Sequence, residues 1–332
     1  MAQPKRAALI AAARVKAGGP VGRGALGLDV GVWIAACRPK TLPLGLAAAG
    51  LGQAMAWRSG GRFSASLCVL LIATALALQV ASNLANDYGD GARGADGPLR
   101  VSSYRRAVGS GAVSLGGMMR AVVLACAVAM GLGVASLAVA AKQGSLPVVG
   151  APAWLGLGAV CVAAALAYSM GSKPYGLMGL GDAAVAVFFG PVAVLGGLTL
   201  QTGMVGPFDW LPALAMGLWC ANALNINNMR DVAQDRASGK RTVPARFGVR
   251  VGLAHHGAMM FSALALWLAH AALTRSPLSL ALAVAVSAVP VALHWLALAR
   301  NFTPQGLDIR LKLFSLAVLL QTAYFVAVPA RL

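Results

Sequence analysis

Apolar runs of about 20 residues recur along nearly the whole chain, and they limit its fold more than any other feature. Each run is long enough to cross about 30 Å of hydrocarbon as a helix. Strand-like alternation is absent and alanine and leucine dominate, so the sequence predicts an all-α polytopic membrane protein rather than a barrel. We identify nine runs, and the boundaries within the third–fourth and seventh–eighth pairs are the least certain: 41–57, 64–86, 118–141, 151–170, 182–200, 208–228, 252–273, 278–299 and 311–330.

The composition also indicates a membrane protein, and the distribution of the charges argues against nucleic-acid binding. Hydrophobic residues make up 59% of the chain and charged residues 11%, far below the roughly 25% of soluble domains. The net charge of +18 could suggest nucleic-acid binding. With a cytoplasmic N-terminus and nine spans, however, 22 of the 27 Lys and Arg residues fall on the cytoplasmic side. That bias sets the orientation of a membrane protein, so no nucleic acid is needed, and it favours anionic lipids and substrates.

Two parts of the chain are expected to differ in order. Residues 1–28 form a basic, Ala/Gly-rich arm that we expect to be a disordered cytoplasmic tail. A cleaved signal peptide is disfavoured because Arg14 and Lys16 directly follow its short apolar stretch. Residues 29–332 are expected to form one transmembrane domain. The five cysteines form no CxxC pair and are interpreted as small core residues.

The stretch "SNLANDYGDGARGAD", residues 82–96, carries three of the nine carboxylates in a chain without glutamate. Asn83, Asp87 and Asp90 are spaced i, i+4 and i+7, which predicts one helix face, with Asn86 beside them. The glycines at 89, 91 and 94 are expected to end this helix. Asp96 is then expected on a loop that folds back toward the helix end.

The stretch "NINNMRDVAQDRASGK", residues 225–240, carries a second cluster at the end of the sixth run. Asn227, Asp231 and Asp235 are spaced i, i+4 and i+8, again on one predicted helix face. The two clusters are four spans apart, so both are expected on the same side of the membrane.

Five of the nine carboxylates lie in these clusters, and such a density of hard oxygens suits Mg²⁺ bound together with a diphosphate. The alternative is a set of solvated loop charges paired with arginine. The matched Asn-x-x-x-Asp spacing and the position at the membrane edge favour the metal–diphosphate interpretation. Nearby basic residues could neutralise the remaining phosphate charge: Arg100, Arg105, Arg106, Arg230, Lys240 and Arg241.

The chain resembles the UbiA superfamily of intramembrane aromatic prenyltransferases, and most closely the branch that prenylates 1,4-dihydroxy-2-naphthoate in menaquinone synthesis. The resemblance runs from about residue 33 to 330 and implies helices around a central cavity that opens sideways to lipid. It also implies a bacterial-type cytoplasmic membrane, with both clusters closing the cavity on the cytoplasmic side. The matching stretches are "RPKTLPLGL", "NLANDYGDGARGAD", "GPLR", "KPYGLMGLGD", "FFGPVAVLG" and "NINNMRDVAQDRASGKRT".

The resemblance also implies roles for individual residues. Asp87, Asp90, Asp231 and Asp235 would be catalytic. One Mg²⁺ would be held by Asn83, Asp87, Asp90 and Asp96, and another by Asn227, Asp231 and Asp235. Substrate would be bound by Arg38, Asn86, Arg100, Tyr168, Lys173, Arg230, Lys240 and Arg241.

The implied reaction ionises an allylic diphosphate and lets an electron-rich ring attack the resulting cation. In the naphthoate branch the attacked carbon carries the carboxylate, so CO₂ is lost. A dry, apolar cavity must keep water from the cation. Candidates for its lining, which could equally serve helix packing, are Tyr168, Phe188, Phe189, Trp219 and Leu224.

Several assignments remain open from the sequence. Arg38 and Lys40 could bind an acidic substrate or lipid headgroups, and Lys173 could contact substrate or only add to the cytoplasmic charge. Asp182 could orient a polar group or cap a helix. The four histidines are given no role.

Other activities compete with the leading one. A relative could use 4-hydroxybenzoate, homogentisate or haem as acceptor. A secondary transporter is disfavoured, because transporter carboxylates lie near the bilayer midplane and these crowd one edge. No protein partner is indicated.

Overall fold

The computed structural model describes residues 29–61, 63–95, 106–146, 150–274, 277–300 and 302–327. Within these ranges all regular structure is helical, which confirms the predicted all-α class. The basic arm, Asp96, Arg100 and Arg105 lie outside the described residues. The α-helices are α1 Val30–Ala36, α2 Leu42–Arg58, α3 Ala65–Ala92, α4 Leu115–Gln143, α5 Gly150–Ala167, α6 Gly181–Val187, α7 Gly196–Thr202, α8 Trp210–Arg230, α9 Val232–Ala237, α10 Val243–Phe247, α11 Val249–Thr274, α12 Pro277–Arg300 and α13 Pro304–Ala327.

Each predicted run corresponds to a long helical segment, and the chain is a multi-pass membrane protein. Six segments of the described part are long and apolar enough to cross a membrane. The six are Ala65–Ala92, Leu115–Gln143, Gly150–Ala167, Gly181–Thr202, Val249–Thr274 and Leu280–Leu298. Of the other three, α2 has only 17 residues, α8 ends in asparagines, and α13 begins with charged residues. The count of nine crossings therefore stays a prediction.

Helix ends follow local sequence. α3 begins after Ser64, whose hydroxyl accepts a hydrogen bond from the Leu67 amide at 3.3 Å. α4 begins after Ser114 in the same way, at 3.1 Å from the Gly117 amide. It ends at Gly144, which adopts a left-handed φ of 71°. Serine N-caps and a glycine C-cap satisfy backbone groups that a helix end leaves open.

The prediction that glycines end α3 is wrong for Gly89 and Gly91, because the helix continues to Ala92. It is confirmed for Gly94, which follows the last turn with a left-handed φ of 64°, while the Ala95 amide donates to the Asp90 carbonyl at 2.9 Å. A Cβ at position 89 would lie 2.1 Å from the Ser169 carbonyl oxygen, and one at position 91 would lie 2.3 Å from Val108 Cγ1. Gly89 and Gly91 thus allow two other segments to approach the motif closely, which is a packing role that helix propensity does not reveal.

The prediction of one continuous helix face through the second cluster is also wrong. α8 ends at Arg230, and Asp231 leaves helical geometry with φ −100° and ψ 17° before α9 begins. The Asp235 amide still donates to the Asp231 carbonyl at 2.8 Å. Asp231 therefore lies at the junction of the two helices and Asp235 lies in α9, and the hydrogen bond between their backbones keeps them one turn apart.

The bundle packs around α8, which contacts α2, α6, α11 and α13. The segment between α6 and α7, residues Phe188–Leu195, is a π-helix with non-helical geometry at Gly190 and a proline at 191. A Cβ at Gly217 of α8 would lie 2.1 Å from the Ala186 carbonyl oxygen, so only glycine permits this crossing. Proline cannot donate the backbone bond of a regular helix, which explains why the turn opens here.

Candidate active site between the two aspartate motifs

The first motif lies at the buried end of α3. The carboxylate of Asp87 is 2% exposed and accepts hydrogen bonds from the amides of Ala107 and Val108, at 3.0 and 3.4 Å. Asn86 accepts hydrogen bonds from Arg38 and from Arg106, the latter at 2.7 Å, and donates to the Ser169 hydroxyl at 2.8 Å. Residues 106–108 therefore lie over the first motif.

Asp90 is the most buried carboxylate of the site, with no exposed surface. Its oxygens accept hydrogen bonds from Arg93 at 3.0 Å, Arg106 at 3.2 Å and Lys240 at 3.5 Å. A buried carboxylate needs such compensation, because its transfer out of water is otherwise unfavourable.

The second motif approaches the first through Lys240. Its ammonium group lies 4.0 Å from Asp235 as well as near Asp90, so it bridges the two motifs. Asp235 also accepts a hydrogen bond from the Thr242 hydroxyl at 3.3 Å. Asp231 accepts a two-pronged pair of hydrogen bonds from Arg230, at 3.0 and 2.8 Å.

A polar cavity of about 140 Å³ lies between the motifs, and all four predicted catalytic aspartates line it. Six basic side chains share its wall, and they come from segments distant in sequence. They are Arg38, Lys40, Arg93, Arg106, Arg230 and Lys240. A cavity with this wall is suited to a multiply charged anion.

An apolar cavity of about 330 Å³ lies next to it. Tyr168, Phe188, Phe189 and Leu224 line this cavity, as expected. Trp219 does not belong to the lining found in the described residues: it is fully buried in the bundle core, with its ring centre 5.9 Å from that of Phe314.

Tyr175 also lines the apolar cavity. Its hydroxyl donates to the Ala164 carbonyl at 2.9 Å. Burial raises the pKa of the Tyr175 phenol further above physiological pH.

The two cavities meet at a neck, which we define as the six residues that line both: Arg38, Thr41, Asn86, Tyr168, Leu224 and Asn227. Arg38 has a left-handed backbone with φ 54°, which is unusual for a residue other than glycine. Its carbonyl accepts hydrogen bonds from the Thr41 amide at 3.0 Å and from the Thr41 hydroxyl at 3.1 Å. Strain of this kind often accompanies functional positions, and here it aims a guanidinium at the neck.

The remaining predicted site residues lie elsewhere. Asn83 lines the apolar cavity, and its amide donates to the Cys37 carbonyl at 3.0 Å. Lys173 and Arg241 are exposed and do not line either cavity as the described residues define them.

Sequence analysis missed Asp308 and left Asp182 undecided. Asp308, on α13, lines the polar cavity and pairs with Lys40 and Arg230, at 2.7 and 2.8 Å. Its signal was available, because the chain has only nine carboxylates and Asp308 lies just before the last apolar run. Asp182 caps no helix and lies 3.1 Å from His255 Nε2, so a histidine that was given no role has a carboxylate partner.

The polar cavity fits a divalent metal only when other oxygens complete the coordination. Among the described residues no three Asp, Glu, His or Cys side chains could hold an ion by themselves. The four motif aspartates nevertheless offer hard oxygens to one space, where basic side chains now balance their charge. Mg²⁺ commonly binds one or two carboxylates and takes its other ligands from water and phosphates. The residues thus fit a metal bridged by a diphosphate.

Comparison with known sequences gives close matches. The model of the UbiA prenyltransferase family matches residues 44–316. The 1,4-dihydroxy-2-naphthoate octaprenyltransferase of Escherichia coli is 40% identical over 232 residues, covering 70% of this chain and 73% of that protein. The protein of the same name from Mycobacterium tuberculosis is 38% identical over 225 residues, covering 65% of this chain and 70% of that protein.

Comparison with solved structures gives the same fold. A UbiA homolog from Archaeoglobus fulgidus bound to DMAPP and Mg²⁺ superposes with a TM-score of 0.63 at 14% identity, covering 89% of this chain and 99% of that chain. The apo structure of a UbiA homolog from Aeropyrum pernix has a TM-score of 0.61 at 23% identity, covering 86% of this chain and 96% of that chain.

Proposed function

This chain belongs to the UbiA prenyltransferase family, and from that premise we propose that it transfers a polyprenyl group from an allylic polyprenyl diphosphate to 1,4-dihydroxy-2-naphthoate. The reaction releases CO₂ and diphosphate and forms demethylmenaquinol, the hydroquinone of demethylmenaquinone. A separate two-electron oxidation then gives the quinone in menaquinone biosynthesis. The observation that carries the proposal is the neck between a polar cavity and an apolar cavity. An allylic diphosphate likewise has a charged part and an apolar part, and the C–O bond that must break joins them.

The polar cavity receives the diphosphate. Arg93, Arg106 and Lys240, now paired with Asp90, are within reach of an anion in this space and would neutralise it. Mg²⁺ held by the four motif aspartates would supply further positive charge to the leaving group. Because these charges are already oriented, they favour the charge that develops as the C–O bond breaks.

The neck receives the acceptor. Arg38 offers a guanidinium that matches the carboxylate of the naphthoate, and Tyr168 lies on the same wall. The ring carbon that bears the carboxylate then faces the allylic carbon and forms the new C–C bond. Diphosphate leaves with the electron pair of the C–O bond. The electron pair of the carboxylate C–C bond returns to the ring as CO₂ departs.

The apolar cavity holds the first part of the prenyl chain and keeps water away. Phe188, Phe189 and Leu224 lie on its wall. Their side chains cannot act as nucleophiles, so the allylic cation survives until the ring attacks.

We place the protein in a bacterial-type cytoplasmic membrane, with the polar cavity on the cytoplasmic side. The distribution of 22 of 27 basic residues to that side supports this orientation. Mg²⁺ would then reach the site from the cytoplasm, where the diphosphate head group of the substrate also lies.

An assay in membranes tests the proposal, with a long-chain polyprenyl diphosphate offered to 1,4-dihydroxy-2-naphthoate or to 4-hydroxybenzoate, with and without Mg²⁺. We expect prenylated product and CO₂ from the naphthoate only, and only with Mg²⁺. Prenylated product from 4-hydroxybenzoate but not from the naphthoate would support a prenyltransferase and refute the proposed acceptor. No product from either acceptor would refute the function.

A further inference from the structure

Asp308 belongs to neither aspartate motif, yet it forms part of the wall of the polar cavity. It lies near the start of α13 and is 8% exposed. One carboxylate oxygen accepts a hydrogen bond from Lys40 at 2.7 Å, and the other accepts one from Arg230 at 2.8 Å. Both of its oxygens are therefore engaged by cations that face the cavity.

Arg230 lies between two carboxylates. Its Nε and Nη2 atoms donate to Asp231, and its Nη1 atom donates to Asp308. A guanidinium is planar and carries five N–H groups, so it can keep one carboxylate while it releases another. Asp308 and Asp231 therefore accept hydrogen bonds from different edges of the Arg230 guanidinium.

The charges of this group are balanced. Lys40 and Arg230 contribute two positive charges, and Asp231 and Asp308 contribute two negative ones. If Asp308 lost its charge, both cations would be left with Asp231 as the remaining anion of the four. Arg230 would then hold Asp231 more tightly, because Asp308 would no longer compete for the buried guanidinium.

We infer that Asp308 is a positioning residue that lets Asp231 exchange Arg230 for a divalent metal. Asp308 retains Arg230 at the cavity wall when Asp231 turns to the metal, so the guanidinium remains available to the diphosphate. This inference rests on the proposed function, since it assigns Asp231 to metal and the cavity to a diphosphate.

The test compares the full-length wild type with Asp308→Asn in detergent or nanodiscs. Mn²⁺ binding, followed by its electron paramagnetic resonance signal, replaces Mg²⁺ binding. Binding of inorganic pyrophosphate is measured separately by calorimetry in the presence of EDTA. We expect the Kd for Mn²⁺ to rise by about tenfold, the equivalent of one charge-assisted hydrogen bond. Metal-free pyrophosphate should bind equally well or more tightly, because the cavity gains one positive charge.

Two further variants separate positioning from a general structural effect. In Asp308→Asn/Arg230→Gln the competing guanidinium is gone, so the affinity for Mn²⁺ should recover toward that of the wild type. Asp209→Asn removes a carboxylate that only caps a turn through the Gly206 amide at 2.7 Å, and it should change neither affinity. Gel filtration and thermal unfolding establish that each variant is folded.

Each outcome supports or overturns the inference. An unchanged Kd for Mn²⁺ in Asp308→Asn overturns it, and so does an equal loss of Mn²⁺ and pyrophosphate binding. If Asp308→Asn does not fold, Lys40→Met tests the same inference by removing a cation that pairs with Asp308. Asp308 would then attract Arg230 more strongly, and Mn²⁺ should bind more tightly, whereas unchanged or weaker binding refutes the inference. A wild type that binds neither Mn²⁺ nor pyrophosphate, separately or together, refutes the proposed function instead.

Discussion

The ammonium group of Lys240 lies 3.5 Å from Oδ2 of Asp90, although 150 positions separate the two residues. Lys240 follows the second motif and Asp90 ends the first, so this contact joins the two halves of the polar cavity. The two motifs could act on one bound anion only if they share one space, and this contact and the cavity that both line place them in one space.

Lys240→Met should raise the KM for polyprenyl diphosphate by about tenfold, since one charge-assisted contact to the phosphate is lost. Lys240→Arg should restore much of the affinity. Lys142→Met removes an exposed lysine from the last turn of α4 and is the matched control. Steady-state kinetics in membranes check this, and an unchanged KM in Lys240→Met would show that Lys240 does not contact the diphosphate.

Asp231→Asn should lower kcat/KM by at least about 100-fold, which is typical when a preorganised electrostatic group is removed from an active site. Expression and membrane insertion should stay normal, because the residue serves metal binding rather than packing. Asp209→Asn should keep full activity. Full activity of Asp231→Asn would contradict the role of the second motif.

Gly89→Ala should destabilise the protein by about 1–3 kcal/mol, the usual effect of forcing an extra methyl group into a packed site. The added Cβ would lie 2.1 Å from the Ser169 carbonyl oxygen. Gly131→Ala in α4 is the control, because no atom beyond its own helix backbone and chain neighbours lies within 4 Å of the Cβ position there. Thermal unfolding in detergent measures both variants. Equal stability of the two would mean that the end of α3 can shift away from Ser169 without destabilising the protein.

Leu224→Ser should divert part of the substrate to polyprenyl alcohol, because a hydroxyl at the neck brings water near the allylic cation. Leu214→Ser places the same change on an exposed position of the same helix, and it should give no extra alcohol. Chromatography of the lipid products gives the ratio of alcohol to prenylated ring. A constant ratio in Leu224→Ser would place the reaction elsewhere in the cavity.

Helices and motifs were predictable because their signals are local. Apolar runs located all the long helical segments, and helix direction placed Asp90 and Asp235 on one side before any contact was known. That both motifs line one cavity is seen only in the structure.

Features that depend on distant neighbours were not predictable. Gly89 suggested a helix end, but its role is the close approach of Ser169, which is 80 positions away in the chain. Asp231 suggested a continuous helix face, but α8 ends there. Trp219 was a candidate for the cavity lining, but its ring packs against that of Phe314. In each case tertiary packing decided between alternatives that helical periodicity leaves equal.

The central claim is that one diphosphate binds between the two aspartate motifs with its prenyl chain passing the neck. A structure of the full-length protein with Mg²⁺ and an uncleavable thiodiphosphate analogue of the prenyl substrate tests it most directly. We predict phosphate density among Asp87, Asp90, Asp231 and Asp235, and hydrocarbon density between Tyr168 and Leu224. Diphosphate bound outside the polar cavity, or on one motif alone, would contradict the account.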